Sequence, residues 1–311
     1  VTSHAADTGP LFEVRAVKQL APGVTRLWID APRVARYWRP GQFVIVRVDA
    51  DGERIPLTIA DGNFERGWIN LIVQDVGATT ARLSALTVGD RLHDVTGPLG
   101  RPTEIDDYGT VVVIGGGVGT AIAYPSAAAL ARAGNRVIAI VGGRSKPYVI
   151  LERELRATVD EVITVTDDGS HGDKGLVTDA LATVLEREPV NRILAIGPIP
   201  MMAAVAELTR PRGAEFAGIP TVVSLNPIMV DGTGMCGGCR VLVGGETRFA
   251  CVDGPEFDAH CVDFAVLAQR NRAYRAFEQG EVERSTTVRS ALDDCRLATS
   301  TVEPTVEEPT A

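Results

Sequence analysis

Short runs of β-branched and aromatic residues, parted by Pro, Gly and Asp, fill the first third of the chain: FEVRAVKQL (12–20), VTRLWIDA (24–31), GQFVIVRV (41–48), IPLTIA (55–60) and WINLIVQD (68–75). Runs of this kind at regular spacing predict an antiparallel β-barrel over residues 11 to about 105. The pattern then changes. From 109 to about 225, apolar runs (TVVVIG, RVIAIVGG, EVITVTDD, RILAIG, PTVVSL) alternate with helical stretches (AYPSAAALARAG, YVILERELRATV, LVTDALATVLERE, MMAAVAELTRPRG), which predicts a doubly wound parallel sheet, an α/β unit. Residues 226–263 hold a cysteine cluster in a small segment of their own. Residues 264–280 predict an amphipathic helix with Phe264, Leu267, Tyr274 and Phe277 on or near one side. The stretch 281–311, rich in Ser, Thr, Glu and Pro, predicts a disordered tail. No internal repeat is visible.

One segment competes with this reading. Gly109–Ala131 is uncharged and long enough to cross a bilayer. Gly115, Gly116, Gly117 and Gly119 would break the middle of such a helix, whereas VVVI entering a glycine cluster and an Ala-rich run predicts a buried strand, a tight turn and a helix.

Composition narrows the class. With 311 residues, 45% hydrophobic and 23% charged, the chain reads as soluble and globular, large enough for two cores. A net charge of −9 with scattered basic residues sets nucleic acid aside as a partner. The first residues carry no basic segment followed by an apolar run, so no secretory signal is expected, and thiols in a Cys-x-x-Cys pair point to a reducing cytoplasm.

The glycine cluster has a chemical use. Glycines let the backbone approach a pyrophosphate, and the amides opening the next helix carry partial positive charge. The spacing of GGGVGT is not the full G-x-G-x-x-G, and no acidic residue follows RVIAIVGG in the ribose position. Arg144 and Lys146 there suit a 2′-phosphate or form a solvated basic loop, so NAD and NADP both stay open. Gly197 and Pro198 end another strand, either bordering a ligand or making a plain turn. In the barrel, Arg54 and Thr58 in RIPLTIAD, and Gly77, Thr79 and Thr80 in DVGATTARL, gather hydroxyls and amides where a phosphate fits; on spacing alone an ordinary strand edge and a helix cap are the favoured reading of them.

The cysteines carry the sharpest signal. Asp231, Cys236, Cys239 and Cys251 read D-x4-C-x2-C-x11-C, the gaps of a plant-type 2Fe-2S site with a carboxylate in the first position. Glycines 232, 234, 237 and 238 let amides turn toward sulfur. Cys236, Cys239, Cys251 and Cys261 also make C-x2-C-x11-C-x9-C, which permits zinc, and inert thiols are a third reading.

Taken together, ERIPLTIAD, DVGATTARL, GPLGRP, VVVIGGGVGTAIAYP, VGGRSK, VTDDGSHGDKGLVTD, AIGPIPMM and SLNPIMVDGTGMCGGCRV resemble the ferredoxin-NADP reductase superfamily over roughly residues 11–280. Within it the chain is most similar to small subunits of NADH-dependent ferredoxin:NADP oxidoreductases, also described as the FAD/2Fe-2S subunit of sulfide dehydrogenase; the electron-transfer subunit of dihydroorotate dehydrogenase is the nearest cousin. The resemblance implies an FAD barrel, an NAD(P) domain and a 2Fe-2S hairpin. It implies that Arg54, Pro56, Leu57 and Thr58 lie along the flavin, with Arg54 toward its phosphates or ribityl chain, Leu57 on the isoalloxazine and Thr58 at its N5 edge as the catalytic residue. Gly77, Thr79 and Thr80 would bind the FAD pyrophosphate. Wider relatives have Arg-x-Tyr-Ser here; this chain has Ile55 in place of that Arg and Leu57 in place of Tyr.

Further along, Gly115, Gly116, Gly117 and Gly119 would cradle the NAD(P) pyrophosphate, Arg144 and Lys146 would meet the coenzyme, and Gly197 and Pro198 would border the nicotinamide. Asp231, Cys236, Cys239 and Cys251 would hold the cluster, leaving Cys261 and Cys295 as bystanders. The implied activity is passage of electrons between NAD(P)H, FAD and the cluster. The implied partner is a larger flavoprotein subunit related to glutamate synthase small subunits, with 4Fe-4S clusters, and through it ferredoxin. The dihydroorotate role, with an all-Cys cluster, is the alternative.

Overall fold

The computed structural model describes residues 12–214 and 216–273, so Tyr274, Phe277, Cys295 and the expected tail lie outside the described residues. The early apolar runs become β1 (Val14–Ala21), β2 (Val24–Asp30), helix α1 (Pro32–Tyr37), β3 (Phe43–Arg47), β4 (Ile55–Asn63), β5 (Trp68–Gln74), α2 (Ala78–Ser84) and β6 (Asp94–Leu99). Their order in the sheet is β1-β2-β5-β4-β3-β6, antiparallel throughout. The segment entering β6 returns to β1, with Val14 N donating to Asp90 O at 2.8 Å and Leu92 N to Phe12 O at 3.1 Å, and so closes the barrel. Alternation decides the interior: Leu27, Ile29, Val44, Val46, Ile59, Ile69, Leu71 and Val73 are buried there.

The second unit runs β7 (Thr110–Gly116), α3 (Gly119–Arg132), β8 (Arg136–Gly143), α4 (Glu152–Arg156), β9 (Glu161–Thr166), β10 (Asp173–Lys174), α5 (Val177–Arg187), β11 (Arg192–Ile196), α6 (Ile199–Thr209) and β12 (Thr221–Ser224). Then come β13 (Arg240–Val243), β14 (Glu246–Phe249), α7 (Ala250–Asp253), β15 (Glu256–Asp258) and α8 (Phe264–Arg272). The sheet order is β10-β9-β8-β7-β11-β12-β15. Strand order reverses beside β7, so the crevice between the ends of β7 and β11 is the topological switch point where open α/β sheets take ligands. The uncharged Gly109–Ala131 stretch is strand, turn and helix, and no helix among the described residues is long and apolar enough to cross a membrane.

Two elements differ from the sequence expectation. The run 148–159 forms helix only over Glu152–Arg156, because Leu151 takes a left-handed backbone (φ 57°) and starts the helix late. The cysteine segment is not a free-standing appendage: its β15 pairs antiparallel with β12, Val223 opposite Phe257, and becomes the edge of the large sheet.

β15 brings a carboxyl into the junction between the two units. Glu256 accepts a hydrogen bond from Thr103 Oγ1 at 2.6 Å, and that hydroxyl also meets Ser126 of α3 at 2.8 Å. Burial pushes the Glu256 carboxyl up to about 7, against the Thr103 bond and the charge of Arg192, which pull it down. The folded chain therefore holds this proton where the unfolded chain has lost it. Stability from this group is full below the ordinary carboxylate range and falls as pH rises toward 7, by up to about 3 kcal/mol. Denaturant titrations at pH 5 and pH 7.5 are expected to show that loss in the native chain and a smaller one in Glu256→Gln.

Candidate functional site

At the switch point, a cleft of about 850 Å³ opens between the barrel and the sheet. Gly116, Gly117, Gly119, Arg144, Gly197 and Pro198 line it, so six of the expected coenzyme residues converge on one space. Gly115 and Lys146 are not among its walls: a Cβ on Gly115 would lie 2.6 Å from Thr120 Cα, beneath the loop, and Lys146 is exposed with its amide on Ser170 Oγ at 2.8 Å. Gly117 has φ +58° and no protein atom within 4 Å of a would-be Cβ, so its missing side chain is part of the cleft. That emptiness beside the first turn of α3 fits a pyrophosphate, whose oxygens need close backbone approach and amide donors. Tyr148, Asp167, Ser224 and Asn226 also line the cleft and were not singled out from the sequence. Asp167 and Ser224 lie at or just past the carboxyl ends of parallel strands, the positional signal that would have found them.

The barrel residues divide between two faces. Thr58 and Pro56 pair with Phe43 and Ile45 across β3, while Leu57 pairs with Val44 and packs with Ile55 toward the barrel interior. Leu57 thus lies on the face of β4 opposite Thr58, as the two-residue strand period requires. The Thr58 hydroxyl is half-buried and takes no part in the side-chain hydrogen bonds found among the described residues, leaving it free for a ligand. Arg54 is exposed at the start of β4, and its neighbour Glu53 accepts a bond from Thr79 Oγ1 at 2.6 Å, which draws this segment against α2.

Thr80 uses its hydroxyl locally, accepting from the amides of Val76 and Gly77 at 2.9 Å each. A Cβ on Gly77 would meet nothing within 4 Å. An open glycine, an exposed Arg and the unbonded amides of a helix's first turn fit flavin phosphates.

The cysteine segment presents four donors as two pairs. Asp231 Oδ1 accepts from Cys236 Sγ at 3.4 Å, and Cys239 Sγ lies 3.2 Å from Cys251 Sγ. Two ligands for each of two irons is the arrangement that a 2Fe-2S cluster takes. Amides already address the sulfurs, Gly238 N to Cys236 Sγ at 3.4 Å and Cys251 N to Cys239 Sγ at 3.5 Å.

The zinc set fails on position, because Cys261 lies at the far end of β13 from Cys239, its carbonyl accepting from Gly244 N at 2.8 Å and its Sγ 3.6 Å from Asp258 Oδ2. Among the described residues, no three acidic, Cys or His groups gather closely enough for a single ion.

Burial separates the two pairs. Cys239 and Cys251 are 1% and 2% exposed, whereas Cys236 is exposed. Burial, with Cys239 beside it, pushes the Cys251 thiol up to about 12. Against a burial penalty, the amides of Cys236 and Thr233 hold the Asp231 carboxyl down to about 2, so it is an anion poised to accept. The loop sits on the barrel: a Cβ on Gly232 (φ +73°) would lie 2.5 Å from Leu99 Cδ1 and 2.9 Å from Ile45 Cγ1, so only glycine brings the ligands against β3, the strand beside Thr58.

Comparison with known proteins agrees with this geometry. A family model for the iron-sulfur cluster binding domain of dihydroorotate dehydrogenase B matches residues 226–263. A dihydroorotate dehydrogenase B (NAD(+)) electron transfer subunit homolog of Thermotoga maritima is 48% identical over 274 residues, 88% of this chain and 95% of that protein. The dihydroorotate dehydrogenase B (NAD(+)) electron transfer subunit of Bacillus caldolyticus is 35% identical over 79% of this chain and 95% of its own length. The solved structure of an NADH-dependent reduced ferredoxin-NADP oxidoreductase, studied for flavin-based electron bifurcation, superposes with a TM-score of 0.83 at 45% identity, covering 89% of this chain and 99% of that one. Phthalate dioxygenase reductase, at 16% identity and a TM-score of 0.53, shares the fold alone.

Proposed function

We infer the function from one premise: the chain belongs to the family of dihydroorotate dehydrogenase B electron transfer subunits and their homologues. It is an oxidoreductase subunit that carries electrons between NAD(P)H, FAD and a 2Fe-2S cluster and a partner protein. The observation that carries this reading is the four donors held as two pairs, three of them on a loop packed against the barrel strand next to Thr58 and the fourth, Cys251, in α7.

Bound here, a nicotinamide would supply two-electron hydride chemistry, a 2Fe-2S cluster one-electron chemistry, and a flavin the exchange between the two. The chain's own residues align these groups. Gly116, Gly117 and Gly119 hold the coenzyme pyrophosphate on backbone amides, Gly197 and Pro198 border its nicotinamide, and Arg144 faces its adenosine end. Thr58 would offer its hydroxyl to the flavin, while Arg54 and the start of α2 would take the flavin phosphates. Cys239 and Cys251, the buried pair, would hold one iron of a cluster, and Asp231 and the exposed Cys236 would hold the other.

Met235, 89% exposed, with Val230 and Val252 also exposed, surrounds this outer pair with apolar surface. That surface suits a docked electron acceptor, which the family reading makes a larger flavoprotein subunit with 4Fe-4S clusters, related to glutamate synthase small subunits, and through it ferredoxin.

An anaerobic visible spectrum of the purified chain, with iron, zinc and acid-labile sulfide assayed on the same sample, tests the whole reading. Flavin absorption with about two irons and two sulfides per chain supports it; a colourless chain with stoichiometric zinc overturns it. A carboxylate is a harder, less covalent donor than a thiolate, and ligand identity tunes a cluster's potential. Asp231→Cys is therefore expected to retain the cluster and move its midpoint in a spectroelectrochemical titration. An unmoved midpoint would mean that Asp231 only shapes the turn.

A further inference from the structure

The two walls of the coenzyme cleft beyond β8 and β9 are separate pieces of chain. One wall follows β8: Arg144, whose guanidinium lies 4.8 Å from the centre of the Tyr148 ring, then Tyr148 and Ile150. The other follows β9, where Asp167 begins a loop that returns through β10 to Gly175 and Leu176. At their base the walls share strand-like bonds, Asp167 N to Gly143 O at 3.1 Å. Farther out they are joined by the Lys146 amide on Ser170 Oγ and by one carboxylate, Glu152.

Glu152 opens α4, immediately after the cleft wall. Its Oε2 meets His171 Nε2 of the facing loop at 2.7 Å; its Oε1 accepts from Thr164 Oγ1 of β9 at 2.8 Å and from Arg156 at 2.7 Å. Although burial opposes ionisation, the bonds from His171, Arg156 and Thr164 hold this carboxyl down to about 2. His171 is itself fastened to the end of β9: its amide donates to Thr166 Oγ1 and its carbonyl accepts from the same hydroxyl at 2.8 Å.

The turn that aims Glu152 across the gap is bought with strain. Leu151 is a buried non-glycine residue in the left-handed region, a conformation that persists only where packing enforces it. Its side chain is enclosed by Ala21, Ala60, Ile72 and Ala121, so the barrel surface and α3 supply that enforcement.

We propose that Glu152 is a positioning residue for coenzyme binding: through His171 it fixes the separation of the two walls that receive the adenosine half of the dinucleotide. The end of the strand following the glycine turn is where dinucleotide folds meet the adenosine ribose, which assigns the half concerned. This rests on the reading of the cleft as the NAD(P) site.

The test uses the full flavin- and cluster-loaded chain. Dissociation constants for NAD+ and NADP+ are measured by calorimetry in the native chain, Glu152→Ala, Glu152→Asp, His171→Ala and the Glu152/His171 double variant, and flavin reduction is followed with reduced nicotinamide mononucleotide, which lacks the adenosine half. The tighter coenzyme is expected to bind Glu152→Ala about 10-fold more weakly, as loss of a charge-assisted bond implies. The rise falls in KM rather than kcat, reduction by the mononucleotide is unaltered, Glu152→Asp recovers most of the affinity, and the double variant is no worse than either single one.

Unchanged dinucleotide affinity in both single variants overturns the proposal, and so does an equal loss with the mononucleotide. If Glu152→Ala does not fold, His171→Ala decides between the same outcomes. A native chain that binds neither coenzyme overturns the functional reading itself, a result distinct from either.

Discussion

Cys239→Ala is expected to leave the purified chain with almost no iron or acid-labile sulfide, while flavin reduction by NAD(P)H continues. Cys239 and Cys251 are the buried pair, with sulfurs 3.2 Å apart. On the proposed ligand set, removing one sulfur would leave the iron held by this pair a single protein ligand in a site where water cannot easily replace the other. Transfer to a one-electron acceptor is then expected to fall by about 100-fold or more, since metal sites lose that much even when only a supporting group is removed. Losing one buried sulfur costs the fold about 1 kcal/mol through the small void left behind. Cys261→Ala is the matched control, because that thiol sits beside Asp258 and is expected to leave iron content unchanged. Iron and sulfide assays with stopped-flow reduction of flavin and of a one-electron dye separate the outcomes; full iron retention in Cys239→Ala would exclude the donor set.

Gly119→Ala tests the other end of the electron path. A methyl there would sit 2.3 Å from the carbonyl oxygen of Ile196 and 2.9 Å from Gly197 Cα, and both belong to backbone that cannot swing aside. The first turn of α3 must therefore lift from the end of β11, widening the crevice at the switch point. Overpacking of this kind costs about 1–3 kcal/mol of stability. A shift of about 1 Å in a positioning element can cost about 100-fold in rate. The expected result is a lowered Tm with hydride transfer to flavin slowed by about 100-fold, and iron content intact. Wild-type reduction kinetics in this variant would show that the glycine turn does not set the coenzyme's position.

The glycine turn and the donor spacing were legible in the sequence because both are local: a run such as VVVIGGGVGT carries its strand, its turn and its helix start in adjacent positions. The candidate donors Asp231, Cys236, Cys239 and Cys251 were likewise picked out by spacing, which did not choose between iron and zinc. C-x2-C-x11-C-x9-C reads as well as D-x4-C-x2-C-x11-C until the chain places Cys261 beside Asp258 and away from the other thiols.

Contacts across long sequence separations were invisible. Nothing near Glu256 signals that it will meet Thr103 from the other unit, and nothing near Glu152 signals His171 on the facing loop. The shortened α4 has the same origin. Helix propensity favours only the central LERELRA, the β-branched residues on either side being poor helix formers, and the left-handed Leu151, packed against the barrel, sets the start at Glu152. Alternation along IPLTIA did contain the opposed facing of Leu57 and Thr58, since neighbours in a strand point to opposite sides.

The edge position of β15 has a thermodynamic consequence. Cys239 and Cys251 share one buried apolar cluster with Ile193 and Val223 of the large sheet, and β15 is bonded directly to β12. The cysteine segment and the coenzyme sheet therefore open as one cooperative unit rather than as beads on a string. Any ligand that binds only the closed unit holds all of it closed, by the mass-action linkage between binding and folding. Iron bound at one end is therefore expected to slow amide exchange in β11 and β12, and coenzyme bound at the other to slow the loss of iron, with neither ligand touching the other's site.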